Sequence, residues 1–123
     1  MTKFITIENK NRRITDPLRI KYCDTFISQL RGLTFRLHLG REEGLLLVGK
    51  HDSRLDSSIH MLFVPFDLSV IWINSAMQVV DKGIAKSWRP AYFAKQPARY
   101  VLEIHPERWG DFEIGDRVEF KDA

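Results

Sequence analysis

Polar and apolar positions alternate with a period of two over several short stretches of this chain. That pattern predicts β-strands with one buried face. In "LRIKYC", Leu18, Ile20 and Tyr22 fall on one side and Arg19 and Lys21 on the other. In "RYVLEIH" (99–105), Tyr100, Leu102 and Ile104 point inward. Arg99, Val101, Glu103 and His105 form the opposite face, which reads as solvated. "KFITIEN" opens the chain as a β-branched and aromatic strand, and "RVEFK" closes it with Val118 and Phe120 inward. "GLLLVGK" (44–50), 59–63 and 68–73 are apolar on both faces, as expected of central strands covered on both sides. "VPFD" lies between the last two, with Pro65 suited to the second position of a turn. The pair then reads as a hairpin in which 63 faces 68 and 60 faces 71. "NSAM" is a further turn, followed by the strand-like "QVVDKGIA".

One segment changes period. In "DTFISQLRGL", Phe26, Ile27, Leu30 and Leu33 recur at helical spacing. Asp24 suits the N-cap, Gly32 the left-handed residue that ends the helix, and Arg31 the negative end of its dipole. "HDSRLDSS" (51–58) reads as a polar loop, and "SWRPAYFAKQPA" (87–98) as a packed loop. "RWGDFEIGD" is turn-rich. The expected fold is mainly β, a sandwich or barrel-like body of seven to eight short strands with one or two short helices. It forms a single domain over residues 1–123.

Composition narrows this little. A chain of 123 residues supports one core, and 44% hydrophobic with 28% charged residues is ordinary for a soluble globular domain. The net charge of +3 is mild, and the basic residues are scattered along the chain, which argues against nucleic acid as a partner. The single cysteine, Cys23, permits no intramolecular disulfide and reads as a small core hydrophobe. No signal-type apolar segment and no run long enough for a membrane span is present, so a soluble, cytoplasmic protein is expected.

His60 and Asp67 stand out inside the most apolar region. In the hairpin register Asp67 lies four residues from the partner of His60, roughly 14 Å along the strand. A dyad needs about 3 Å. Asp67 therefore reads as a turn residue bonded to amides and His60 as an imidazole satisfied by a backbone partner, or each as part of a pocket completed from elsewhere. The four histidines make no His-x-x-x-His pair and no knuckle with Cys23, so no metal is expected. There is no Gly-x-Ser-x-Gly elbow, phosphate loop or Gly-x-Gly-x-x-Gly, and no cofactor is expected. Trp88, Tyr92, Phe93 and Trp109 either pin loops to the core or offer a stacking platform for sugars or bases.

Five stretches together resemble the family called domain of unknown function 192. They are "RGLTFR" (31–36), "EGLLLV" (43–48), "IHMLFVPFDLSVIWIN" (59–74), "PARYVLEI" (97–104) and "IGDRV" (114–118), and they cover about residues 15–120. The resemblance implies a compact, mainly β fold with a small helical element, and no established activity, substrate or cofactor. Arg31, Gly32, Asp67, Glu103, Gly115 and Asp116 fall on the family's motifs, His60 falls where members carry Trp or His, and Thr34 stands where Met is usual. The functional expectation is a ligand-binding module with a groove near Arg31, taking an anionic or polyhydroxyl small molecule with His60, Asp67 or Glu103 close by. An equal reading makes Arg31 a strut tied to carbonyls or to Glu103. The alternatives are a hydrolase or transferase using His60 with a carboxylate, and a protein-interaction module presenting the 87–98 loop.

Overall fold

The computed structural model describes residues 3–24, 38–59, 61, 64–89 and 91–123. Its strands are β1 Lys3–Asn9, β2 Arg19–Cys23, β3 Glu43–Ser53, β4 Leu68–Ile73, β5 Val79–Ala85, β6 Ala98–Ile104 and β7 Val118–Asp122, with a short 3-10 helix at Pro106–Asp111. They form one seven-stranded sheet in the order β5-β4-β6-β3-β2-β1-β7. The fold is thus the expected small, mainly β domain.

Among these strands β2 and β3 are the parallel pair. Parallel neighbours need a crossover of a dozen or more residues, and residues 24–42 supply it. The helix expected at 24–33 falls here, but residues 25–37 lie outside the described residues.

The edge strands β5 and β7 do not stay apart. The Val79 N–H donates to Asp116 O, the Gly115 N–H to Val79 O and the Val118 N–H to Met77 O. Gly115 has φ +98°, a left-handed conformation that costs glycine little, and this lets the chain turn at the junction. The sheet therefore curls towards a barrel. All seven strands contribute to its inner core, which includes Ile5, Ile20, Leu46, Ile71, Val79, Leu102 and Val118. Phe112, fully buried, follows the 3-10 helix and packs into the same cluster.

Two side-chain networks secure the ends. Arg108, buried, donates to Asp111, to Arg41 O and to Asp16 O. Asp116 accepts from Arg12, from Asn9 Nδ2 at 2.8 Å and from the Glu113 amide at 2.9 Å. The Arg12 guanidinium, and then the Asn9 and Glu113 donors, hold the Asp116 carboxyl well below the usual carboxylate range against an opposing effect of burial.

Two expectations are corrected. The hairpin between 59–63 and 68–73 does not form, because β4 pairs with β5 and β6. The described residues of the first run, Ile59 and Met61, bond instead to the 88–92 loop. Nor is the second face of β6 solvated: Val101 and Glu103 are both buried. β6 lies between β3 and β4 in the middle of the sheet, where the outer face is covered by loops.

Asp116→Asn should lower stability by about 2 kcal/mol at neutral pH, the scale of hydrogen bonds to a charged group. Because the folded carboxyl titrates below its unfolded value, this stabilisation is complete above roughly pH 4 and is lost in stronger acid. Denaturant melts of the parent and the variant should therefore converge as pH falls below that point; a gap independent of pH would remove the ionised carboxylate from the explanation.

Candidate functional site

The outer face of β4, β6 and β3 is the region that asks for a functional explanation. Register alone builds it. Val101 stands between Leu47 and Trp72, and Glu103, two residues on, stands between Leu45 and Val70. Leu45, Val70 and Trp72 are buried, and Leu39, Ile59, Met61, Val64 and Ala94 cover the same face. Glu103 is thus a carboxyl set into an apolar layer, with only 6% of the residue exposed.

Burial pushes the Glu103 carboxyl up from 4.5 to about 7, and among the described residues no hydrogen bond or charge offsets that burial. An ionised carboxylate placed there would lose hydration without compensation, so the neutral acid persists to about pH 7 instead of giving way near 4.5. A neutral carboxyl both donates and accepts a hydrogen bond. The family resemblance made Glu103 a candidate, while alternation placed it on a wet face, because alternation in one strand does not reveal what lies over it.

Asp67 has a different environment. Its Oδ1 accepts from the Ser87 amide at 2.9 Å and its Oδ2 from Lys86 Nζ at 3.3 Å. The Ser87 amide is the main cause that lowers this carboxyl's pKa, with Lys86 adding to it and burial opposing. It bonds to an amide as expected, but to one twenty residues away instead of one in its own turn. From the Val70–Glu103 pairing, Asp67 and Glu103 are separated by roughly 10 Å along the sheet. Arg31 and His60 lie outside the described residues.

Asp81 escaped sequence reasoning. It pairs in register with Trp72, is buried, and accepts from the Lys95 amide at 2.8 Å and from the Lys82 amide at 2.9 Å. Asp67 and Asp81 thereby anchor the 86–98 loop at two points over the outer face. Its only sequence signal was an acid within the strand-like "QVVDKGIA"; its loop partner is fixed by the fold. Trp72 adds a third tie, donating from Nε1 to Ser57 O at 2.8 Å.

The four candidate aromatics divide into two pairs. The Tyr92 hydroxyl accepts from the Lys86 amide, and the Trp109 ring lies 3.9 Å from Lys82 Nζ. Both are pins. Trp88 and Phe93 are 54% and 52% exposed. Among the described residues no cluster of His, Cys, Asp and Glu could hold a metal ion, and no helix is long and apolar enough to cross a membrane.

Comparison with known proteins adds a lineage. The DUF192 family model, described as uncharacterized ACR, matches residues 6–120. A UPF0127 protein of Thermococcus gammatolerans is 39% identical over 101 residues, covering 80% of this chain. The chain spans 64% of that relative's length. A crystal structure of a protein of unknown function from Novosphingobium aromaticivorans is similar with a TM-score of 0.79 and 25% identity, over 96% of this chain and 84% of that one. A Sinorhizobium meliloti protein described as a candidate transcription regulator has a TM-score of 0.80 at 18% identity, over 98% of this chain and 94% of that one, which shows the shared fold alone.

The Glu103 carboxyl titrates higher in the folded state than when unfolded. The pH-dependent part of its cost vanishes below the unfolded value near 4.5, and stability falls as pH rises from there to about 7, by up to roughly 3 kcal/mol at 1.36 kcal/mol per pH unit. Glu103→Gln should therefore match the parent near pH 4 and be the more stable protein at pH 8 in denaturant melts. If the variant is less stable at pH 8, Glu103 has a cationic partner outside the described residues, as the strut reading of Arg31 requires.

Proposed function

Because the chain belongs to the DUF192 family, whose description assigns no activity, we propose its function from its own geometry: a ligand-binding domain that recognises a small polyhydroxyl molecule through Glu103. The reading is supported by one observation above all, a carboxyl buried on an apolar sheet face without a partner among the described residues. Such a group costs stability, which natural sequences tolerate at functional sites. A carboxyl that is half protonated near neutral pH suits a ligand with hydroxyl groups, since it donates to one oxygen and accepts from another. Leu45, Val70 and Trp72 make the surroundings of this carboxyl apolar, beneath the layer of Leu39, Ile59, Met61, Val64 and Ala94. Arg31 and His60 belong to this proposal as further polar groups of the groove. Arg31 would carry the binding of an anionic substituent through its planar fork. Asp67, engaged with Ser87 and Lys86, takes the role of a positioning residue for the loop.

The hydrolase or transferase reading uses His60 with a carboxylate, and takes Glu103 as that carboxylate because a group titrating near 7 is matched to proton transfer. It differs in one respect: bound substrate would be consumed. A cytoplasmic setting is part of the proposal and rests on a single, buried cysteine that needs no oxidising compartment.

The test is a proton–nitrogen NMR titration with glucose, myo-inositol and inorganic phosphate as probes. Shifts should cluster at the amides of Leu45, Val70, Val101 and Glu103 for a polyol, weaken as pH rises through 7, and vanish in Glu103→Ala. Absence of any localised shift with all three probes sinks the binding reading. Chemical change of a bound probe during the titration converts it to the enzyme reading.

A further inference from the structure

The loop layer above this face carries a second feature that the Glu103 site does not use. From Lys82 to Leu102 the chain has five basic residues, Lys82, Lys86, Arg89, Lys95 and Arg99, and no Asp or Glu. The fold brings another basic residue to this stretch, since Arg54 Nε donates to Ala94 O at 3.0 Å. Arg54, Arg89 and Lys95 are exposed and form no ion pair among the described residues. Of the nearby acids, Asp67 pairs with Lys86 and accepts from the Ser87 amide, while Asp52 accepts from Ser75 and Asp56 lies 3.5 Å from His51. Spread through the same layer are Leu55, Trp88 and Phe93, three of the four large hydrophobic residues that are exposed among the described ones.

The layer is also well fixed. Ile59 and Tyr92 exchange backbone hydrogen bonds beside Phe93, and the Trp88 amide donates to Met61 O. Trp88 has φ +65°, a left-handed backbone that a bulky residue rarely adopts, held in place by these neighbours. Backbone outliers of this kind collect at binding sites.

We propose that this layer is a docking surface for single-stranded nucleic acid. Bases stack on Trp88 and Phe93, and phosphates meet Arg54, Arg89 and Lys95. Each ring residue is about half exposed, which leaves surface for stacking while the rest is packed. Flat aromatic surfaces interleaved with unpaired cations match a strand of bases and phosphates, and the guanidinium forks of Arg54 and Arg89 fit phosphate oxygens. A membrane surface is favoured less, because among the described residues of this layer only Leu55 is an exposed aliphatic tip. The scatter of basic residues along the sequence argued against nucleic acid; the tertiary contact between Arg54 and the 86–98 loop changes that count.

The experiment is fluorescence anisotropy of a labelled short oligothymidylate and oligouridylate with the intact chain. Binding should weaken roughly twentyfold between about 50 and about 200 mM salt, as three neutralised phosphates at a slope of about −0.7 each require. Trp88→Ala and Phe93→Ala should each weaken it by roughly five- to a hundredfold through lost stacking. Replacing Arg89 and Lys95 by Gln should flatten the salt dependence. Phe93→Ala keeps the test open if Trp88→Ala does not fold. No binding overturns the proposal. So does binding that heparin matches and the two aromatic variants leave intact, which would be generic polyanion attraction. Preference for phosphatidylserine vesicles over both oligonucleotides overturns it in favour of a membrane surface. Glu103→Gln should leave oligonucleotide binding unchanged, so this proposal and the polyol reading fail separately.

Discussion

The structure depends on closing a seven-stranded sheet at one junction. Where the turn before β5 meets the turn before β7, three backbone hydrogen bonds link residues Met77, Val79, Gly115, Asp116 and Val118. Without that junction the sheet would present two open edges, and its inner apolar face would not be enclosed. With it, side chains from every strand enclose one core. Asp116 contributes twice, since its carbonyl accepts the Val79 amide and its side chain gathers Asn9, Arg12 and the Glu113 amide. A single acid thus couples the first hairpin region, the helix exit and the closure of the sheet.

Enclosing the inner face leaves the outer face to be covered separately, and that is done with loops. Loop backbone must be hydrogen-bonded when it lies on a sheet. Here Asp67, Asp81 and Trp72 supply the bonds from the sheet side, and Ile59 and Met61 pair with the 88–92 segment within the layer. The result is an apolar layer with fixed polar points. Glu103 is the carboxyl of that layer whose pKa is raised by burial alone. Its chemistry follows from this placement: low polarity around a carboxyl raises its proton affinity, and raised proton affinity makes it a donor as well as an acceptor near pH 7. The outside of the same layer presents a different character, with exposed Arg54, Arg89 and Lys95 beside the half-exposed rings of Trp88 and Phe93.

The strands were legible because their signal is local. A period of two over five to seven residues marked β2, β6 and β7 with their inward residues, β-branched and aromatic composition marked β1, and the continuous apolar runs marked β3 and β4. The short turn at 74–77 was legible too, and in the structure Asn74 Oδ1 accepts from the amides of Ala76 and Gln78. Misreadings occurred where a choice depended on partners. The run 59–63 has the composition of a strand next to β4, yet β6, some thirty residues later in sequence, takes that position. Glu103 and Asp67 were legible as candidates, but the buried state of the one and the loop-anchoring role of the other were not.

What the sequence by itself determined is most of the strands, the inward side of β2, β6 and β7 and the family to which the chain belongs, since residue alternation and motif order are properties of neighbouring positions. The tertiary structure decided the strand order, the meeting of β5 with β7, the burial of Glu103 and the gathering of Arg54 with the 86–98 loop. These rest on contacts between segments tens of residues apart. Such contacts are selected by the total apolar area enclosed and the backbone groups left to satisfy, quantities that no single stretch of chain contains.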